Sequence, residues 1–134
     1  MSIQEHQPIF NVIGGDKSVQ SLVDRFYHYM DTLDEAKDIR AQHQADLSEA
    51  NSKLYMFLSG WLGGPDLYIQ KFGHPRLRAR HLPFKIGEKE RDQWMLCMRK
   101  ALDDMPFPEE SKSIMDKALY RLADHMRNQN ESST

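Results

Sequence analysis

The residues best suited to chemistry crowd into one stretch, Gly73-His74-Pro75-Arg76-Leu77-Arg78-Ala79-Arg80-His81-Leu82-Pro83-Phe84. Arginines at alternate positions, a histidine directly after them and a proline two residues later describe a short basic helix. It ends at Leu82, because a residue before proline avoids the α region. Such a segment has two readings. It is a solvated basic stretch with a surface or helix-capping histidine, or it holds an imidazole at a helix end as a metal ligand while nearby cations meet an anionic cofactor. Elsewhere the chemistry is thinner. Of the histidines, His6, His28, His43, His74, His81 and His125, none forms an HExxH pair, and the lone Cys97 excludes a cysteine-rich zinc site and an internal disulfide. Cys97 lies in an apolar helical pattern with no base beside it, which describes a buried thiol and not a nucleophile. Neither a GxGxxG nor a P-loop is present, so a nucleotide cofactor has no support.

Haem satisfies both halves of the second reading, since its iron takes an imidazole nitrogen and its two propionates take cations. Two polar-tipped aromatics, Tyr27 and Trp94, fall on apolar helical stripes. They are either core residues whose O–H and N–H find backbone partners, or donors aimed at a cavity beside a metal.

Stepping outward, the elements that must position these groups are helical. Val19, Leu22, Val23, Phe26, Tyr27 and Met30 recur at three- and four-residue steps after Gly14 and Gly15. Leu47, Ala50, Leu54, Phe57, Leu58 and Trp61 form a second stripe, stopped by Gly63, Gly64 and Pro65. A third, Trp94, Cys97, Met98, Ala101, Leu102 and Met105, lies between Gly87 and Pro106. The fourth holds Ile114, Ala118, Leu119, Leu122 and Met126, with Pro108, Glu109 and Glu110 suited to its first turn. Residues 66–87 leave room for one or two short helices. No alternating strand pattern or internal repeat appears, so the chain reads as all-α.

Composition bounds the rest. With 134 residues, 40% hydrophobic and 28% charged, and a net charge of −2, the chain has the size of one domain. Its expected radius of gyration is roughly 14 Å. The near-neutral charge argues against a nucleic-acid partner, and no apolar run is long enough for a membrane span. Met1–Phe10 lacks the features of a secretory signal, which predicts a cytoplasmic protein. The polar residues 128–134 are expected to fray.

Taken together, Ile13-Gly14-Gly15, Leu22 to Tyr27, Phe57 to Tyr68, Gly73 to Phe84 and Glu90-Arg91-Asp92-Gln93-Trp94 resemble the group II truncated haemoglobins. That resemblance covers most of residues 10–129. It implies a truncated globin, a two-over-two α-helical sandwich around haem b, as a single domain over 1–134 with a haem-binding core at about 10–129. It implies His81 as the proximal iron ligand and Tyr27 and Trp94 as distal hydrogen-bond donors. His43 falls near the loop position that varies among tyrosine, phenylalanine and histidine. Ala50 stands where larger globins often carry a distal histidine, with Leu54 one turn on and Phe26 beside Tyr27. Lys53 and Tyr68 match propionate contacts, and Arg78 is a further candidate. Phe57, Leu77, Phe84, Ile86 and Met98 are candidate walls of the porphyrin.

The function so implied is reversible binding of dioxygen and other diatomic ligands, CO and NO, in oxygen transport, sensing or redox chemistry. A haem enzyme on the same fold, a nitric oxide dioxygenase or a peroxidase-like detoxifier served by an unidentified reductase, is the alternative. From another class comes a haem-free helical interaction module, in which the arginines bind an acidic partner.

Overall fold

The computed structural model describes residues 7–129, and within them the regular structure is helical. In chain order the helices are α1 (Ile9–Val12), α2 (Asp16–Thr32), a 3₁₀ turn (Asp34–Ala36), α3 (Lys37–Ala41), α4 (Ser48–Trp61), α5 (Leu67–Phe72), α6 (Leu77–His81), α7 (Glu88–Asp103) and α8 (Glu109–His125). No strand occurs among the described residues.

The four long helices arise from the apolar stripes. Helix α2 buries Val19, Leu22, Val23, Phe26, Tyr27 and Met30, all on one face, and packs that face on α7 and α4. Helix α7 is capped by Gly87, whose N–H donates to Glu90 Oε1 at 2.8 Å and so satisfies a donor at the helix start. It buries Met95, Cys97, Met98, Ala101 and Leu102. Helices α2 and α4 form one layer and α7 and α8 the other, with the α2–α7 contact as the seam.

The turn after α4 depends on close approach. Gly63 adopts φ +96°, and a Cβ there would lie 2.6 Å from Pro8 Cβ. A bond from Phe10 N–H to the Leu62 carbonyl, 3.0 Å, ties the amino-terminal segment to the same turn.

Three expectations change. The fourth stripe is rotated: Ile114 is 49% exposed, whereas Ser111, Met115 and Leu119 face inward. The second stripe is only partly covered, with Leu58 buried and Ala50, Leu54, Phe57 and Trp61 half-buried. The polar end does not fray at its first residues, since Asn128 and Gln129 both donate backbone N–H bonds to the Ile86 carbonyl, at 2.8 and 3.2 Å. Residues 130–134, like His6 and most of the segment Met1–Phe10, lie outside the described residues. No helix among the described residues is long and apolar enough to cross a membrane.

Candidate functional site

His81 closes α6. Its Nδ1 lies 2.6 Å from the Leu77 carbonyl, one turn earlier. A carbonyl oxygen only accepts, so Nδ1 is the donor here and Nε2 is the nitrogen the ring can offer to a metal. This is the arrangement a metal-ligating histidine needs, with ring orientation and tautomer fixed from behind.

A set of ring contacts links α7, α2 and His43. Trp94 of α7 meets Phe26 of α2 at 5.0 Å between centroids, Phe26 meets Tyr27 at 4.9 Å, and Tyr27 meets His43 edge-on at 6.1 Å. The Tyr27 hydroxyl donates to the Ala50 carbonyl at 3.3 Å, joining α2 to α4. Burial holds the Tyr27 phenol far above its ordinary pKa, so it stays a neutral donor. His43 repeats the motif of His81, with Nδ1 2.9 Å from the Ile39 carbonyl. Burial, above all, lowers the His43 pKa, the Ile39 bond opposes that shift, and the charges of Arg40 and His81 lower it further. His43 and His81 therefore share one neighbourhood.

The half-buried side chains Leu54 and Phe57 of α4, Leu77 of α6 and Trp94 of α7 leave apolar area that a flat hydrophobic group would cover. The donor set suits haem: one oriented imidazole, a neutral phenol and an indole N–H that finds no acceptor among the described residues. These residues fit the cofactor, on chemistry the structure itself displays.

The cations are placed less simply. Arg78 turns away, its Nη1 donating to the carbonyls of His125 and Arg127 at 2.9 and 2.8 Å, so it caps α8. Arg80, absent from the sequence-based candidates, lies over the Tyr68 ring at 5.9 Å. Tyr68 packs on Phe72 at 4.9 Å, and Lys53 Nζ lies 5.6 Å from the Phe72 ring while pairing with Glu49. Lys53, Tyr68, Phe72 and Arg80 therefore form one cation-rich aromatic edge. Phe84 is 43% exposed and its ring stands 6.4 Å from that of His81. Phe26 and Met98 are fully buried. Ile86 is buried as well, with its backbone engaged by Asn128. A surface hollow of about 520 Å³ between α7 and α8, lined by Arg99, Asp103, Lys112 and Asp116 among others, includes none of these residues.

Comparison with known proteins identifies the family. The family model described as bacterial-like globin matches residues 8–128. The group 2 truncated hemoglobin YjbI of Bacillus subtilis is 39% identical over 118 residues, covering 88% of this chain and 87% of that protein. Among solved structures, the group II 2-on-2 hemoglobin of Agrobacterium tumefaciens superposes with a TM-score of 0.91 at 47% identity, covering 94% of this chain and 98% of the other. The cold-adapted truncated hemoglobin of Pseudoalteromonas haloplanktis TAC125 gives a TM-score of 0.90 at 40% identity, covering 92% and 100% respectively. The chain belongs to the bacterial-like globin family, and its layered helices are the two-over-two truncated form. Membership implies a haem cofactor and diatomic gases as ligands.

Proposed function

We propose that this chain binds haem b through His81 and holds dioxygen and other diatomic gases, CO and NO among them, in a pocket that Tyr27 and Trp94 furnish with hydrogen-bond donors. The haem-binding unit runs through about residues 10–129. When bound, the haem supplies the iron to which a gas molecule attaches. The observation that carries the reading is the His81 Nδ1 to Leu77 carbonyl bond at 2.6 Å, which fixes the ring from behind and leaves Nε2 as the nitrogen it can offer to iron.

The rest follows from what the side chains can do. Tyr27 and Trp94 present an O–H and an N–H, and donation to a group that draws negative charge is worth about 1.5–3 kcal/mol each. Donors held near the ligand by a packed ring set need little reorganisation when the ligand arrives. Ala50, small and half-buried on α4, stands where a larger side chain would gate the pocket, which fits direct entry of small ligands. Lys53, Arg80 and Tyr68 offer charge and a hydroxyl to the propionates. Strong donation favours tight holding of ligand, which suits sensing or redox chemistry more than delivery, and an open entrance lets small ligands enter directly.

The test is reconstitution with haem followed by ultraviolet-visible spectra of the ferric, ferrous and CO-treated forms. A Soret band and a CO-shifted ferrous spectrum are expected. A chain that takes up no haem under these conditions overturns the reading and returns the basic segment to a haem-free interaction surface.

A further inference from the structure

Helix α6 runs only from Leu77 to His81, buries none of its residues and starts from Arg76 in a left-handed conformation, φ 46°. An isolated helix shorter than about 12 residues does not hold itself together in water. The position of His81 is therefore set by whatever grips α6 from outside.

That grip comes from the segment after α8. Arg78 Nη1 reaches the His125 and Arg127 carbonyls. Asn128 takes the other end of α6 and the turn beyond it. Its Nδ2 donates to the Phe84 carbonyl at 2.7 Å and to the carbonyl of His81 itself at 3.2 Å. Its Oδ1 accepts the Ile86 N–H at 2.9 Å, and its own N–H donates to the Ile86 carbonyl at 2.8 Å. The anchor is firm in turn, since Met126 is buried and Asp124 binds both Arg91 at 2.7 Å and Arg127 at 2.8 Å. Arg91 lies one turn before Trp94 on α7, so the same hydrogen-bonded chain that holds His81 is rooted beside a distal donor.

We propose that Asn128 is a positioning residue for His81, holding the proximal imidazole through the main chain of residues 81–86. This rests on the haem reading above. The chemistry selects asparagine: the site needs a side-chain donor for two carbonyls and an acceptor for one N–H on the same short stem. Aspartate keeps the acceptor but loses both side-chain donations, and alanine loses all three side-chain bonds and keeps only the backbone bond to Ile86.

The experiment compares the haem-loaded wild type with Asn128→Ala, Asn128→Asp and, as a control for general destabilisation, Gly63→Ala, whose side chain would meet Pro8 and not α6. Two quantities are read: the rate of haem transfer to excess apomyoglobin, and the iron–histidine stretching band of the ferrous form by resonance Raman. Both Asn128 variants are expected to lose haem about 10-fold faster, the lower end for loss of an outer-shell partner, and to shift the band. Gly63→Ala is expected to leave the band in place. Should Asn128→Ala fail to fold, the aspartate variant carries the test alone. Asn128 variants that keep the wild-type band and transfer rate overturn the proposal and leave the haem reading standing, whereas a wild type that takes up no haem overturns both.

Discussion

The Tyr27 hydroxyl donates to the Ala50 carbonyl across 3.3 Å, at the long end of hydrogen-bond geometry, and that carbonyl belongs to an α4 helix whose ladder it also serves. A long bond to a shared acceptor is weak, so the phenol can turn toward a better acceptor at little cost. Burial meanwhile keeps it protonated across the ordinary pH range.

Tyr27→Phe should therefore separate function from stability. The ring still packs on Phe26 at 4.9 Å, and losing the Ala50 bond should lower stability by less than about 1 kcal/mol. If donation to bound gas is worth about 1.5–3 kcal/mol, and about 1.4 kcal/mol is tenfold, oxygen release should speed up about 10- to 100-fold. Stopped-flow displacement of oxygen measures this, and an unchanged rate would remove Tyr27 from the pocket.

His81→Ala should abolish axial ligation without unfolding the chain, because His81 is only half-buried and its Leu77 bond is local. Added imidazole should then restore the ferrous spectrum by occupying the same space as a free ligand. Spectra that never depended on His81 would refute its assignment as the ligand.

What could be read in advance follows from how strongly each feature marks the sequence. Helices α2, α4 and α7 carry one-sided apolar stripes, and His81 sits in a dense motif. Helix α8 is legible as a helix but not in rotation, since Ile114 and Met115 are adjacent and both apolar, and only packing decides that Met115 goes inside. Residues 34–41 form a 3₁₀ turn and a short helix with no periodic signal of their own. On a single-turn helix Arg78 and Arg80 point to nearly opposite sides, so composition cannot tell which cation reaches the Tyr68 edge and which caps α8. Asn128 is one polar residue past a helix end. Its role exists only once the tertiary fold brings residues 81–86 beside it.

Gly63→Ala and Gly73→Ala should differ, although both glycines have left-handed φ, +96° and +81°. An added Cβ at Gly73 meets nothing within 4 Å, so that variant bears only the conformational penalty of its glycine-favouring backbone, about 1–3 kcal/mol. At Gly63 the same penalty is joined by overlap with Pro8 Cβ at 2.6 Å, which must displace the segment held by the Phe10 to Leu62 bond. Each kcal/mol lowers Tm by about 3–5 °C at this chain length. Thermal melts should place Gly63→Ala clearly below Gly73→Ala, and equal melting temperatures would show that the Pro8 contact yields freely.

Cys97 is fully buried on α7, and burial pushes its thiol from an ordinary 9.0 up to about 11. The group is a neutral acid at physiological pH, so Ellman's reagent should leave it unmodified in the native protein at pH 8 and modify it fully in denaturant. The linkage sign follows: a raised folded pKa means the unfolded chain releases its proton first. The contribution of Cys97 to stability is therefore whole below about pH 9 and is lost as pH rises toward 11. Tyrosines and lysines titrate in the same window, so the wild-type curve alone does not isolate the thiol. Subtracting the Tm-against-pH curve of Cys97→Ala does, and the difference should shrink between pH 9 and 11. A thiol that reacts readily at pH 8 would mean that the α2–α7 seam opens far more often than its burial implies.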